Sequence, residues 1–493
     1  MSQLIALYAS IIKKSVQWLY RFFIVNKMHS LLGGLLFLLV GAFIAFVDAR
    51  MGFKISIVFF GLFAGLLVFL VCFIKPKYTY FISFTLPFIF FVLERKLNTN
   101  LPLGILVQTL SFMAVFIILA KKIANKDFSF SFFNNRVSYM IILLIVYTFI
   151  QGLNPNMHSY AGWGLVVKGS FGILAMYFSV MYFLHEDKKF LNQFINLWIT
   201  LSTIAALYAC YQQWFGMFEF EEKWIRAEEL RFRRIFIKGS FRKFSLLSDP
   251  AAFGIFMAAS SLLTIPLILR KASFLKKSLL LTCAVLMIMA VGYSGTRTAY
   301  AMIPAGLVIF ALMTITNKRT LYLSAAGVAL IGFVLFGPIH GNQTVHRVRT
   351  LINSDDPSLN VRDVNRGNIQ KYIYDNPIGG GLMTTGTAGL KYNPEHDLAG
   401  FPPDSGYLKL ALETGYVGLF IYSVFFFVCL QAGVSNYYRS NDEDEKVTIL
   451  ALVTFVFAIC IALYAQSITG QVPMSMVFWP TMGILAALKP KQN

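Results

Sequence analysis

The chain has 493 residues, 57% of them hydrophobic, 16% aromatic and only 13% charged, with a mean hydropathy of +0.65. That composition excludes an ordinary soluble domain. The formal net charge of +20 is explained better by basic loops facing anionic lipid headgroups than by nucleic acid.

Residues 1–28 come first. Ile5, Tyr8, Ile12, Val16, Leu19 and Phe23 recur at helical spacing, Lys13, Lys14, Gln17 and Arg21 fall elsewhere on the wheel, and no small-residue cleavage site follows. The expectation is an interfacial helix on the cytoplasmic leaflet, with a further buried helix as the alternative. Residues 29–493 read as a single all-α transmembrane domain. Fourteen apolar runs lie near 31–48, 55–74, 78–93, 101–120, 138–152, 166–184, 190–215, 251–269, 278–292, 299–316, 321–336, 407–434, 447–466 and 472–488. Several are short, so 12 to 14 spanning helices are expected. The five cysteines (Cys72, Cys210, Cys283, Cys429, Cys460) all fall in apolar runs, and the six histidines are scattered. Buried thiols follow, with neither a disulfide framework nor a metal site, and no cofactor is expected.

Orientation comes from the connections. With the N-terminus on the cytoplasmic side, the segments on that side hold 22 Lys and Arg, against five (Arg50, Lys54, Arg95, Lys96, Arg297) in the short connections opposite. That ratio places both termini inside. Two long connections, 216–250 and 337–406, then fall outside, where long polar loops usually carry function. Arginine breaks the inside bias: 12 of 17 fall on the outer side, ten of them between Arg226 and Arg366. A guanidinium can grip phosphate through two parallel hydrogen bonds, so the cluster points to an anionic ligand.

Loop 216–250 alternates glutamates with Arg226, Arg231, Arg233, Arg234, Lys238, Arg242 and Lys243, interleaved with aromatic and aliphatic residues. It reads either as an amphipathic surface with internal ion pairs or as a basic wall for an anion. Loop 337–406 predicts a helix over 361–375, with Arg362 and Arg366 one turn apart and Pro377 beyond its end. Gly379, Gly380 and Gly381 permit a sharp turn or close backbone approach, but lack the strand–loop–helix context of a nucleotide site. Arg297, in Ser-Gly-Thr-Arg (294–297), stands at an outer helix mouth as a functional cation or a snorkelling anchor. Lys168 admits the same two readings. Pro250 suits the first turn of a span. His396 and Asp404 beside arginines are candidate general bases, although Asp404 also suits the N-cap of a helix starting near Ser405 or Gly406.

Taken together these pieces resemble the O-antigen ligase and O-antigen polymerase (Wzy) family of bacterial surface-polysaccharide enzymes. Arg242 stands eight residues before Pro250, like that family's Arg…Pro segment. Ser294–Arg297 is similar to its Ser-x-Ser-Arg motif. Residues 375–381 (DNPIGGG) and 404–419 (DSGYLKLALETGYVGL) resemble its long-loop signature, with Asp404 and Ser405 where the ligases carry His-Asn. The resemblance implies a metal-independent glycosyltransferase of the bacterial inner membrane, with its active site facing the periplasm. It would transfer a glycan from undecaprenyl pyrophosphate to a sugar hydroxyl, for O-antigen or exopolysaccharide assembly. On that reading Arg242 and Arg297 stabilise the leaving pyrophosphate. Asp404 or His396 is the base. Lys168, Arg234, Lys238, Arg362, Arg366 and Tyr407 line the substrate path. The partners would be the lipid-linked oligosaccharide, membrane lipid, and a chain-length regulator and flippase of the same pathway. The Asp404 departure leans toward a polymerase over a ligase. A transporter or flippase for lipid-linked sugars would instead place its charges near the midplane, and a non-catalytic export scaffold is the third reading.

Overall fold

The computed structural model describes residues 68–99, 101–237, 239–318 and 357–488, with isolated positions at 41, 43, 65 and between 322 and 349. The expected interfacial helix, the run 31–48, most of 55–74 and 321–336, and Lys238 lie outside the described residues.

The described chain is a helix bundle. In order it forms α1 (Lys77–Leu97), α2 (Leu103–Ala124), α3 (Arg136–Ile150), α4 (Tyr160–Glu186) and α5 (Phe190–Trp214). Two short helices follow, α6 (Glu219–Arg226) and α7 (Glu229–Ile235), then a hairpin of β1 (Phe236–Ile237) and β2 (Ser240–Phe241). The bundle resumes with α8 (Pro250–Leu267), α9 (Phe274–Ser294) and α10 (Arg297–Met313). After the loop helices α11 (Pro357–Asp375) and α12 (Gly386–Tyr392) come α13 (Gly406–Arg439), α14 (Glu443–Ala462) and α15 (Met474–Ala487). Eight of these are long and apolar enough to cross a membrane, and the protein is a multi-pass, all-α membrane protein. The hairpin, two residues per strand, was not foreseen.

Three helices form the centre, and one of them, α15, is buried at every residue from Met474 to Ala486. α8 is 83% buried over its apolar window and α14 67%, whereas α9 is 28% buried. α8 packs on α5, α9, α10 and α14. Its run Ala258, Ala259, Ser260, Ser261 is fully covered, as small residues allow where lipid supplies no hydrophobic drive and backbones must approach closely. The hydroxyl of Ser260 binds Trp198 Nε1 and Ser202 Oγ, each at 2.9 Å. The Trp198 ring meets Phe455 of α14 edge-on at 4.8 Å, an arrangement that suits aromatic quadrupoles.

Helix ends follow local chemistry. Asp249 caps α8 by accepting the Ala251 and Ala252 amides at 2.8 and 3.0 Å, with Pro250 in the first turn. Asp442 caps α14, whose first turn is acidic. α13 is broken at Gly415 (φ 67°, ψ −170°), a conformation open to glycine and strained for other residues.

Candidate functional site

The connections after α3, α5, α9 and α14 and the segment 376–405 meet at one end of the bundle. The Gly379–Gly381 turn fits the break in α13. The amides of Gly380 and Gly381 donate to Leu412 O at 2.8 Å and Glu413 O at 3.1 Å, and Tyr416 N donates to Pro377 O at 2.9 Å. Tyr147 Oη takes Thr414 O at 2.6 Å. The backbone groups freed by the break are thereby paired, as a membrane-depth helix interruption requires. A Cβ on Gly415 would stand 2.0 Å from Pro377 O, and one on Gly379 2.5 Å from Gly415 N. The Gly379 amide is used as well, on Asn376 O at 2.9 Å. The glycine triplet is therefore a backbone-to-backbone joint, and its three amides are engaged within the protein instead of cradling phosphate.

A second clasp comes from 151–158, which sequence reasoning passed over. Gln151 Nε2 donates to Ile378 O at 3.1 Å, and Asn154 Nδ2 donates to Ile378 O at 3.2 Å and Gly379 O at 3.1 Å. Asn156 Nδ2 donates to Gly379 O and Asn376 Oδ1, both at 3.1 Å. The signal was present as three side-chain amides within six residues at a helix mouth.

Arg242 follows β2 and is held from three directions. Nε donates to Ser294 O at 2.9 Å, Nη2 to Thr296 Oγ1 at 2.9 Å and Nη1 to Arg234 O at 3.3 Å. Thr296 Oγ1 donates in turn to Pro250 O at 2.8 Å. Gly295, with φ 60°, closes α9, and Arg297 opens α10. A Cβ on Gly254 would lie 2.3 Å from Ser294 Oγ, so α8 seats this turn directly. The Ser-Gly-Thr-Arg motif thus grips Arg242 with Ser294 and Thr296 and presents Arg297 next, and both arginines are half-buried.

Behind Arg242 lies a buried anchor. Arg95 donates to Ser245 O at 2.8 Å, stands 3.6 Å from Glu221 and lies 4.6 Å over the Phe244 ring. Gln212 Nε2 binds both Glu221 oxygens at 3.0 and 3.1 Å, and its Oε1 takes Ser245 N at 3.0 Å. Burial pulls the Lys243 ammonium below its ordinary pKa, with Glu221 and Glu222 opposing. The remaining charges of α6 and α7 pair locally: Lys223 with Glu219 at 2.6 Å, Arg231 with Glu228 and Arg233 with Glu229 at 2.7 Å. Arg231 also stacks 4.1 Å from the Trp224 ring. The amphipathic-surface reading therefore describes most of this loop. Arg234 is exposed and contributes its carbonyl to Arg242.

The other candidates divide. Arg366 on α11 donates to Tyr464 Oη at 2.7 Å and Tyr464 O at 3.2 Å, its guanidinium 4.4 Å from that ring. Leu463 O accepts Gly406 N at 2.8 Å and Ser405 Oγ at 3.2 Å, and Tyr407 Oη donates to Cys460 O at 2.8 Å. The end of α14 thus draws Arg366 and the 404–407 motif together, while Arg362 lies one turn earlier on α11. The N-cap of α13 is Ser405, whose Oγ accepts Leu408 N at 3.3 Å. Asp404, half-buried, stands one residue before the cap, which corrects the capping alternative for its carboxylate.

His396 is 7% exposed and packs 5.2 Å from the His158 ring. Its Nδ1 accepts the Leu398 amide at 3.0 Å. Burial first, and then His158, hold its pKa below the ordinary imidazole value. A Cβ on Gly380 would strike Tyr372 Oη at 2.5 Å and His396 Cε1 at 2.8 Å. His396 is thus wedged between the glycine turn and α11. Lys168 is exposed on α4, with no hydrogen bond or ion pair among the described residues.

Residues 282–423 match the family model described as O-antigen ligase. The matched segment runs from within α9 to within α13 and contains Arg297, Arg362, Arg366, His396, Asp404 and Tyr407; Arg242 lies before it. No curated protein matches the chain. The Ser-Gly-Thr-Arg turn and the broken-helix joint both lie inside that segment, so this part of the chain is similar to the O-antigen ligase family.

Proposed function

We propose that this protein is a polysaccharide polymerase of the bacterial inner membrane. It transfers a glycan from undecaprenyl pyrophosphate to a sugar hydroxyl on the periplasmic face, with both termini cytoplasmic. The observation carrying this reading is the turn shared by Arg242 and Arg297. Two cations at one turn, Arg242 held by Ser294 and Thr296 and Arg297 following them in the chain, suit a ligand whose charge grows during reaction, and fixed charge directed at a developing anion is usually the largest catalytic contribution.

In the step envisaged, the acceptor hydroxyl loses its proton to Asp404 and its oxygen bonds to the donor sugar's C1. The bond from C1 to the pyrophosphate oxygen breaks, and the electron pair leaves on the phosphate between the two guanidinium groups. His396, with Nδ1 engaged by the Leu398 amide and its ring wedged against the glycine turn, supports the loop instead. Arg366 and Tyr407, both tied to the end of α14, are further substrate contacts, and Arg362, Arg234, Lys238 and Lys168 are proposed alongside them.

Asp404 in place of the ligases' histidine favours polymerisation. The matched family's own description fits a ligase, which joins finished polymer to an acceptor, at least as well. Purified protein given lipid-linked single repeat units is expected to build a ladder that Arg297→Ala abolishes. Movement of substrate across vesicles without extension would overturn the enzyme reading in favour of a transporter. Glycan analysis of a deletion strain separates the two enzymes: single lipid-linked repeats accumulate without a polymerase, and long lipid-linked polymer accumulates without a ligase.

A further inference from the structure

Beside the arginine turn, across the start of α13, lies a cavity of about 920 Å³ bounded by α2, α4, α13, α15 and the segment 382–388. That is near the top of the range for small-ligand sites, about 300–1,000 Å³. Arg242, Arg297, His396 and Asp404 do not line it, but Asp249, Pro403 and Gly406 do, so it adjoins the proposed reaction centre without sharing its residues.

Its walls are mainly apolar, with polar groups set among them on several sides. Ser111 and Ser170 on facing helices line it, and both donate to their own helix, at Val107 O and Val166 O, each 3.0 Å. A hydroxyl that donates backward leaves its oxygen as an acceptor. Gln108 lines the cavity, and its Oε1 is buried without a hydrogen-bond partner among the described residues. Glu413, 5% exposed, accepts Thr385 Oγ1 at 2.5 Å on Oε1, and Lys409 Nζ stands 4.0 Å from that same oxygen. Neither Glu413 Oε2 nor Lys409 Nζ makes a hydrogen bond among the described residues. Trp479 lines the floor, its indole fixed by a 2.9 Å bond to Thr469 O.

We propose that this cavity is a saccharide-binding subsite holding several sugar rings of the glycan being extended. Acceptor oxygens on several walls suit a ligand made mostly of hydroxyl donors. The Glu413 carboxylate and Lys409 ammonium supply the few charged contacts that fix orientation. A polyprenyl tail would leave those polar atoms without partners. The assignment rests on the glycan-transfer reading above.

Gly169 and Gly104 line the cavity, and a Cβ on either meets nothing within 4 Å. Gly169→Phe and Gly104→Leu therefore add bulk from positions where a Cβ meets no neighbour, with a wild-type melting temperature confirming the fold, and Glu413→Gln tests the charge. The probe is the host's own repeat-unit oligosaccharide, released from lipid by mild acid, with binding read by isothermal titration calorimetry in detergent. Binding is expected to weaken about tenfold or more in Gly169→Phe and Glu413→Gln, and to persist in Arg297→Ala. A rise in KM for a soluble acceptor fragment marks acceptor glycan, and a rise for the lipid-linked donor marks donor glycan; both support a saccharide site. Unchanged oligosaccharide binding in Gly169→Phe, or loss of undecaprenyl-phosphate binding alone, would overturn it. Oligosaccharide binding that follows the expected pattern in a wild-type protein unable to transfer would sink the proposed function and leave the subsite standing.

Discussion

Replacing Arg242 by lysine keeps the charge and removes the fork. The guanidinium spans three acceptors in different directions, Ser294 O, Thr296 Oγ1 and Arg234 O. One ammonium on a flexible stem can satisfy one of them at the original geometry, so two bonds are lost. Hydrogen bonds to charged groups contribute about 1.5–3 kcal/mol each, and the half-buried setting favours the lower end, giving about 3 kcal/mol. If the turn that presents Arg297 is displaced by that loss, the barrier rises equally and kcat falls about two orders of magnitude. The assay is initial rate of ladder formation from lipid-linked repeats, per folded protein quantified by size-exclusion chromatography. Arg233→Lys is the control, because its guanidinium pairs with Glu229 and makes no contact with the turn, and it should stay close to wild type. An Arg242→Lys enzyme within about threefold of wild type would refute the reasoning, since charge alone would then suffice.

Other perturbations test the scaffold. Gly415→Ala places a methyl 2.0 Å from Pro377 O in a left-handed conformation; a cost of about 3 kcal/mol or more is expected, read as lost monodisperse protein, while Gly164→Ala, with open space at its Cβ, should melt like wild type. Arg95→Met strands the buried Glu221 and should cost about 3–5 kcal/mol, with partial recovery in the double variant Arg95→Met/Glu221→Gln; a melting temperature unmoved by Arg95→Met would contradict the anchor. Trp198→Phe removes a donor to Ser260 at the centre of the bundle and should lower stability by about 1–3 kcal/mol in a detergent melt. The folded-state pKa of His396 is depressed, so the unfolded loop binds its proton first. The stability this contributes is complete above the unfolded pKa, about 6.5, and is lost as pH falls from there toward the folded value. Protection factors of amides in 378–398, corrected for the intrinsic slowing of exchange in acid, should therefore fall on acidification below about pH 6.5, and His396→Gln should flatten that dependence; equal pH dependence in both proteins would remove His396 as its source.

Composition and hydrophobic run lengths determined the class of this protein, because a backbone in hydrocarbon must satisfy itself within helices and the apolar stretches are therefore continuous in sequence. The expected runs near 101–120, 138–152, 166–184, 190–215 and 251–269 each coincide with a helix, as does the loop helix expected at 361–375. Pro250 and Gly379–Gly381 were legible as a helix start and a close-approach turn, since proline and glycine act through their own backbone geometry. The extent of α13 across its break was not legible, because the groups that satisfy the break come from Pro377–Gly381, more than thirty residues earlier in the chain.

Tertiary structure alone decided which cations share a turn. Arg242 and Arg297 are joined through Ser294 and Thr296, whereas Arg231 and Arg233, of the same type and on the same loop, are consumed by glutamates one turn away. Sequence spacing could suggest the local pairs, since residues three or four apart share a helix face, but it could not show that α8 seats the Ser294–Arg297 turn against Gly254. It likewise could not separate Asp404 from Ser405 as the cap of α13, because either short polar side chain suits the position. The contacts of Ser405 and Gly406 with Leu463 settle which residue occupies it.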